Sequence, residues 1–167
     1  MIELMKQEKS PSESTVTMTE LVLPGQSNAL GTIFGGQVVS WIDIAGAIAA
    51  MRHCRKAVVT ASIDALHFVA PIKVGHVVHL VATVNSTART SMEIGVRVEA
   101  ENPTTGERVH AVKAYLTFVA VDDKGHPTPV PAVVPETPEE KRRFEQAKKR
   151  RESRMKLAEE MKRELGN

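Results

Sequence analysis

The sequence predicts an α+β protein, a largely antiparallel sheet with one long buried helix, and three observations carry that prediction. First, Met92, Ile94, Val96, Val98 and Ala100 alternate with Ser91, Glu93, Gly95, Arg97 and Glu99, the period of two that a strand buried on one face requires. Second, turn residues separate such runs at short intervals, whereas parallel neighbours need crossovers of a dozen or more residues. Third, only one apolar helical stretch, about Gly36–Arg52, precedes most of the strands, so a single helix serves many strands. A chain of 167 residues suits one domain with an appendage.

Residues 1–13 are polar and offer no apolar period for docking, so this N-terminus is expected to be frayed, with order starting near Ser14. A strand follows over about Thr15–Leu23, then a Pro24-Gly25 turn, an irregular Ser27–Phe34 loop, and the helix. Val78, Leu80, Ala82 and Val84 repeat the strand alternation. So do His110, Val112, Ala114, Leu116, Phe118 and Ala120 against Lys113, Tyr115 and Thr117. Pro71 with Gly75, Asn85-Ser86, Asn102-Pro103 with Gly106, and Asp122 to Gly125 supply the turns. The folded domain is thus expected over 14–122, with one face of its sheet wet. Prolines 127, 129, 131 and 135 make 123–137 a linker that continues neither helix nor central strand. Thr137 and Glu140 form a capping-box pattern around Pro138, so a charged helix is expected over 138–167.

The formal charge of +2 is too balanced to argue for a nucleic-acid partner. The first ten residues lack a signal-peptide core, and the most apolar run, Val38–Met51, carries Asp43 and is too short for a membrane span. With Cys54 as the only cysteine, an internal disulfide and a multi-thiolate zinc site are excluded, and a reducing cytoplasm fits best. No His spacing suggests a metal. The exception to the charge balance is Glu139–Leu165, where eleven basic residues face seven acidic ones. That stretch reads either as a solvated helix laced by i,i+4 pairs or as an arginine surface that neutralises ligand phosphates.

The chemistry concentrates in Asn28-Ala-Leu-Gly31-Thr-Ile-Phe-Gly35-Gly36, followed by a helix carrying Asp43. Paired glycines at a helix start let backbone N–H groups approach a ligand closely. Gln37 and Val38 stand where a phosphate loop needs Lys and Ser/Thr. Ser27 lacks the second glycine of a nucleophile elbow. Asp43 stacks at helical spacing with Gly36, Val39, Ser40, Gly46, Ala47 and Ala50, a small-residue face read as leaving room for a ligand. A buried carboxylate on such a helix needs a partner or a chemical task.

The run Asn28…Gly31…Phe34-Gly35-Gly36…Asp43-x-Ala45-Gly46 resembles the hotdog-fold acyl-CoA thioesterase (acyl-CoA hydrolase) family. Thr60-x-Ser62-x-Asp64, His67-Phe68-x-x-Pro71-x-x-x-Gly75 and Thr117–Asp122 match the family's later strands, so the resemblance spans about Thr15–Asp122. The Arg-rich tail resembles the extension of its bacterial cytosolic members. The resemblance implies a five-stranded antiparallel sheet wrapped round the central helix, and a homodimer as minimal active unit with sites at the interface. It further implies assembly into hexamers as trimers of dimers, and hydrolysis of acyl-CoA to free acid and CoA without a cofactor.

Carried over residue by residue, Asp43 is general base or nucleophile, Asn28 reaches in from the facing protomer, and the N–H of Gly35 or Gly36 binds the thioester oxygen. Thr60, Ser62 and Asp64, placed by alternation on one side of a strand, Phe68, and Arg89-Thr90-Ser91 are candidates for substrate binding, as are Arg150, Arg151 and Arg154 for CoA phosphates. A non-catalytic acyl-CoA or nucleotide-binding hotdog regulator is the alternative, disfavoured by the presence of both Asp43 and Asn28. A dehydratase or hydratase is weaker still, because no His precedes His53 in the helix and its loop.

Overall fold

The computed structural model describes residues 8–165. Its elements in chain order are β1 (Glu8–Lys9), β2 (Val16–Leu21), α1 (Gly35–Cys54), β3 (Ala57–Ile63), β4 (His67–Phe68), β5 (Val77–Thr87), β6 (Ser91–Glu101), β7 (Arg108–Val121), β8 (Ala132–Val133) and α2 (Pro138–Glu164). The main sheet runs β2-β5-β6-β7-β3, antiparallel throughout, with β4 pairing to β7 beyond β3. This is the expected hotdog architecture: the sheet packs one face around α1, and α2 lies on the other.

The inner face is the one that alternation identified. Val78, Leu80, Ala82 and Val84 of β5, Met92, Ile94, Val96, Val98 and Ala100 of β6, and Val112, Ala114, Leu116, Phe118 and Ala120 of β7 are buried against Val38, Trp41, Ile42, Ala45 and Ala49 of α1. Burying each of the larger aliphatic and aromatic side chains among them contributes on the order of 1.5–3 kcal/mol, so this two-layer core is the main source of stability.

Three β-bulges shift the alternation and correct the sequence reading. Val98 pairs with Val112 but Glu99 pairs with His110, so Ala111 is the extra residue. His110 therefore faces outward with Glu99, whereas unbroken alternation had put it on the core face. Asn85-Ser86, read as a turn, is a bulge inside β5, which continues to Thr87. The third bulge, at Ala61 in β3, shapes the site described below.

The chain ends also differ from expectation. Residues 1–7 lie outside the described residues, but 8–13 are not frayed: Glu8–Lys9 pairs in parallel with Ala132–Val133, and Pro11 is buried in a short 3-10 turn. The proline-rich segment is a docked strap. Its carbonyls find donors where prolines offer none, Pro129 O from Lys56 Nζ at 2.7 Å and Pro131 O from His53 Nε2 at 3.0 Å. His53, fully buried, has its pKa held below the ordinary 6.5 by desolvation. Because Pro131 O only accepts, Nε2 carries the proton and the neutral ring's Nδ1 faces the Ser14 hydroxyl at 3.4 Å.

The sheet face expected to be wet is partly covered by α2. The Thr137–Glu140 capping box forms as expected, and Asn167 with Gly166 lies outside the described residues. Docking rests on Ala147, buried, and on Arg150 and Arg154. Both pair with Glu93, whose side chain is 2% exposed. Among the described residues no helix is long and apolar enough to cross a membrane.

Candidate active site

α1 starts at Gly35 with Phe34 as its N-cap residue, and the preceding loop closes on itself. Asn28 is the organiser: its Oδ1 accepts the Leu30 N–H at 2.9 Å and the Thr32 N–H at 3.3 Å, and its Nδ2 donates to Thr32 Oγ1 at 2.9 Å. Gly31, at φ 73°, supplies the left-handed residue that this turn requires. Within one chain Asn28 thus bonds inside its own loop and is exposed. A Cβ on Gly36 would lie 2.6 Å from the exposed Phe34 ring, so a larger residue there would push that ring aside. A Cβ on Gly35 would touch Phe68 at 3.5 Å. Gly35, Thr32, Ile33, Phe68, Val69 and Pro71 line an open groove of about 400 Å³ at the helix start.

Asp43 is half-buried two turns further along, where its Oδ1 accepts a hydrogen bond from Thr60 Oγ1 at 2.8 Å. Thr60, Ser62 and Asp64 do not share a face, contrary to the expectation from alternation. Thr60 pairs with Phe118, a core residue, whereas Ser62 pairs with outward-facing Thr117. The extra residue Ala61 turns the strand's phase over, which is what a bulge does to a period of two. Thr60 thereby meets Asp43 on the α1 side, and Ser62 and Asp64 face α2.

On the α2 side a second groove of about 230 Å³ gathers four of the expected binding residues, Ser62, Ser91, Arg151 and Arg154, with Thr117 and Met155. Asp64 pairs with Arg154 at 2.8 Å. Arg150 and Arg154, expected at phosphates, are engaged by carboxylates: Arg150 with Glu93 at 2.6 Å and Arg154 with both Glu93 and Asp64. Arg151 and Arg89 are exposed and have no carboxylate partner among the described residues. Arg89 and Thr90 lie in the β5–β6 connection and Ser91 opens β6; Arg89 O holds the strap through the Val130 N–H and Thr90 O accepts the Ala120 N–H.

The small-residue face of α1 is not empty along its length. A Cβ on Gly46 would lie 3.0 Å from the Phe118 ring, and Ala50 is buried, so that half packs against the sheet. The uncovered side of α1 is instead Gly36, Ser40 and Ile44, and on edge strand β3 exposed Ile63, paired with the core residue Leu116, faces the same way. Sequence reasoning missed Glu93, assigned to a wet face. The signal available was Arg150 and Arg154, one turn apart on the charged helix α2, where they can share a single acid on the sheet. Among the described residues no group of three or more His, Cys, Asp or Glu is arranged to hold a metal.

A family model described as the thioesterase superfamily matches residues 30–107. The uncharacterized acyl-CoA thioester hydrolase YkhA of Bacillus subtilis is 47% identical over 128 residues, 77% of this chain and 74% of its own length. A solved apo-hexameric acyl-CoA thioesterase superposes with a TM-score of 0.88 at 49% identity, over 91% of this chain and 97% of that one. An acyl-CoA hydrolase from Staphylococcus aureus, solved with butyryl coenzyme A, coenzyme A and coenzyme A disulfide, gives 0.86 at 37% identity over 96% and 99%. The outward-split β3 and the glycine-opened helix are thus found in a chain that belongs to the thioesterase superfamily.

Proposed function

We propose that the chain hydrolyses acyl-CoA thioesters to free carboxylic acid and CoA, with Asp43 as the reacting carboxylate, water as second substrate and no resident cofactor. The observation that supports this most is the Thr60–Asp43 hydrogen bond at 2.8 Å on the uncovered side of α1. One carboxylate lone pair is fixed by a hydroxyl while the half-buried group stays accessible from the exposed side of α1 at Ser40 and Ile44. There it acts as general base toward water or as nucleophile toward the thioester carbon. As base, Asp43 takes a proton from water, whose oxygen bonds the acyl carbon as the acyl–sulfur bond breaks, and that proton passes to the CoA thiolate. As nucleophile, Asp43 forms an acyl anhydride with loss of CoA thiolate, and water then cleaves the anhydride to free acid, supplying the thiolate's proton. The relatives named as acyl-CoA thioester hydrolases supply the substrate class.

A helix-start N–H stabilises the oxyanion in this reading. At about 1.5 Å per residue, Gly35 and Gly36 lie about 10–12 Å along the axis from Asp43. A carboxylate and an amide that each stand about 3 Å from one carbonyl group bridge that span only at full stretch. A second protomer, bringing its own glycine-opened helix start and its Asn28 to this Asp43, relieves the geometry. The dimer is therefore the minimal active unit here, and assembly into a hexamer follows the hexameric relative. The acyl chain lies along Phe68 and the groove at Gly35. The CoA phosphates are assigned to Arg89 and Arg151, with Ser62, Thr90 and Ser91 beside them. Cytoplasmic placement goes with a substrate of this kind and with relatives named cytosolic.

Hydrolysis of an acyl-CoA series, read by free thiol release, tests the assignment. Asp43→Ala is expected to lower kcat by roughly 10²–10⁴-fold while CoA still binds. Unchanged turnover removes Asp43 from the mechanism, and binding without turnover in the parent chain would make it a carrier or regulator.

A further inference from the structure

Arg154 sits on the opposite face of the sheet from Asp43, yet it grips the strand that carries Thr60. We propose that Arg154 is a positioning residue for the active site: by bridging Glu93 and Asp64 it fixes β3 at its Ala61 bulge and so keeps the Thr60 hydroxyl on Asp43. The proposal rests on the reading of Asp43 as the reacting carboxylate, and it deepens that reading.

β3 is an edge strand within the chain, hydrogen-bonded on one side to β7. Its ladder is interrupted between Thr60 and Ser62, and an interrupted edge is where a sheet deforms most easily. Anchors hold both ends of the five-residue segment from Thr60 to Asp64. At one end Thr60 donates to Asp43 at 2.8 Å. At the other, the Asp64 N–H donates to Tyr115 O at 2.9 Å and its carboxylate takes Arg154 Nη1 at 2.8 Å.

α2 secures that second anchor twice. Arg154 Nη2 donates to Glu93 Oε2 at 2.8 Å. Arg150 binds the same Glu93 and lies 3.6 Å over the ring of Tyr115, the residue whose carbonyl holds the Asp64 N–H. The two arginines therefore hold both partners of one backbone hydrogen bond from outside the sheet. The buried Glu93 carboxylate also receives Asn85 Nδ2 at 3.3 Å, which leaves it no freedom to follow a moving arginine. A forked guanidinium serves two carboxylates in one plane; an ammonium cannot. Committed in this way, Arg154 is not available to a ligand phosphate.

Steady-state kinetics on the full chain, with an acyl-CoA and with the matching acyl-pantetheine thioester that lacks phosphates, test the proposal. Arg154→Ala is expected to lower kcat by about ten- to a hundredfold on both substrates, the scale of a misplacement of about 1 Å, with KM little changed. Arg154→Lys should not restore the rate. Arg154→Ala combined with Thr60→Ala should be no slower than Thr60→Ala alone, because both remove the same alignment.

A rise in KM for acyl-CoA alone, with the pantetheine thioester unaffected, would make Arg154 a phosphate ligand and overturn the proposal. Multiplying effects in the double variant would also overturn it, since they would show an origin outside Thr60. If Arg154→Ala does not fold, Asp64→Asn carries the same expectations with the Glu93 pairs intact. Parental kcat in both Asp43→Ala and Thr60→Ala would defeat the underlying reading, whereas sensitivity there with an indifferent Arg154→Ala defeats only this proposal.

Discussion

Gly46 lies where α1 presses on the sheet, and a side chain there must displace the Phe118 ring, already at 3.0 Å from the position its Cβ would take. Phe118 is 1% exposed, and its backbone partner across β3 is Thr60. Neither the ring nor the helix has slack. Gly46→Val is expected to destabilise the fold by about 1–3 kcal/mol, the usual cost of overpacking a filled core, measured as a lowered urea midpoint. Because the ring moves toward β3, the loss of kcat should exceed what the unfolded fraction accounts for. A variant as stable as the parent would mean that α1 shifts freely on the sheet, and would undercut the fixed alignment of Asp43 with Thr60. Gly46 stood in the sequence as one of a run of small residues, which marks a close approach without saying what approaches. A phenylalanine does, where a ligand was expected.

At the scale of elements, the strap and α2 each close the domain through one buried polar group. His53 joins the end of α1 to Ser14 and to Pro131 of the strap, and Lys9 Nζ reaches His53 O at 2.8 Å. Burial lowers the His53 pKa, so below the ordinary 6.5 the unfolded chain takes up a proton that the folded chain refuses. This contribution to stability is whole above that pH and declines as the pH falls. Urea unfolding at pH 8 and pH 5.5 should therefore show a loss on acidification that His53→Gln, which does not titrate, lacks in part. Equal losses in both would place the acid sensitivity elsewhere.

For α2 the key is Glu93. Glu93→Ala leaves Arg150 and Arg154, each 22% exposed, without their shared acid. It is expected to cost about 2–3 kcal/mol, somewhat below the figure for a fully buried broken pair, and to speed proteolytic cleavage between residues 139 and 165. Unchanged cleavage would mean that Ala147 and its apolar surroundings alone hold the helix.

These elements also mark how far the sequence could be read. The inner faces of β5, β6 and β7 were legible because alternation is intrinsic to a strand buried on one side. So was α2, whose capping box is local chemistry. The bulges at Ala61, Asn85 and Ala111 were not legible, since an extra residue is defined only by what the neighbouring strand opposes to it. The bulge at Ala111 accounts for the core face given to His110, and that at Ala61 for grouping Ser62 and Asp64 with Thr60. The strap was read as a linker because its prolines forbid helix and central strand, and nothing local reveals that its carbonyls would meet Lys56 and His53.

For the whole molecule, the question is what covers the open side of α1. Ile44 is 47% exposed, and Val59 and Ile63 on the adjoining edge strand are 50% and 39% exposed. With Leu30, Phe34, Phe68 and Val69 also uncovered, one chain shows water several apolar side chains at the start of α1 and along the β3 edge. Scattered singly they would mean little, but apolar residues bordering an unpaired strand edge mark an association surface. The axial distance between Asp43 and the glycines makes the same demand from the chemistry. Coverage by a second copy would pair the edge, bury the flank and bring in the facing Asn28. Val59→Lys places a charge on that edge without touching Asp43, Thr60's hydroxyl or the glycines. Sedimentation is expected to shift this variant to a smaller species, with kcat/KM falling in step and recovering as protein concentration is raised. Full activity in a species that sediments as a single chain would show that one protomer's helix start and carboxylate suffice, and the shared-site reading would give way to a monomeric one.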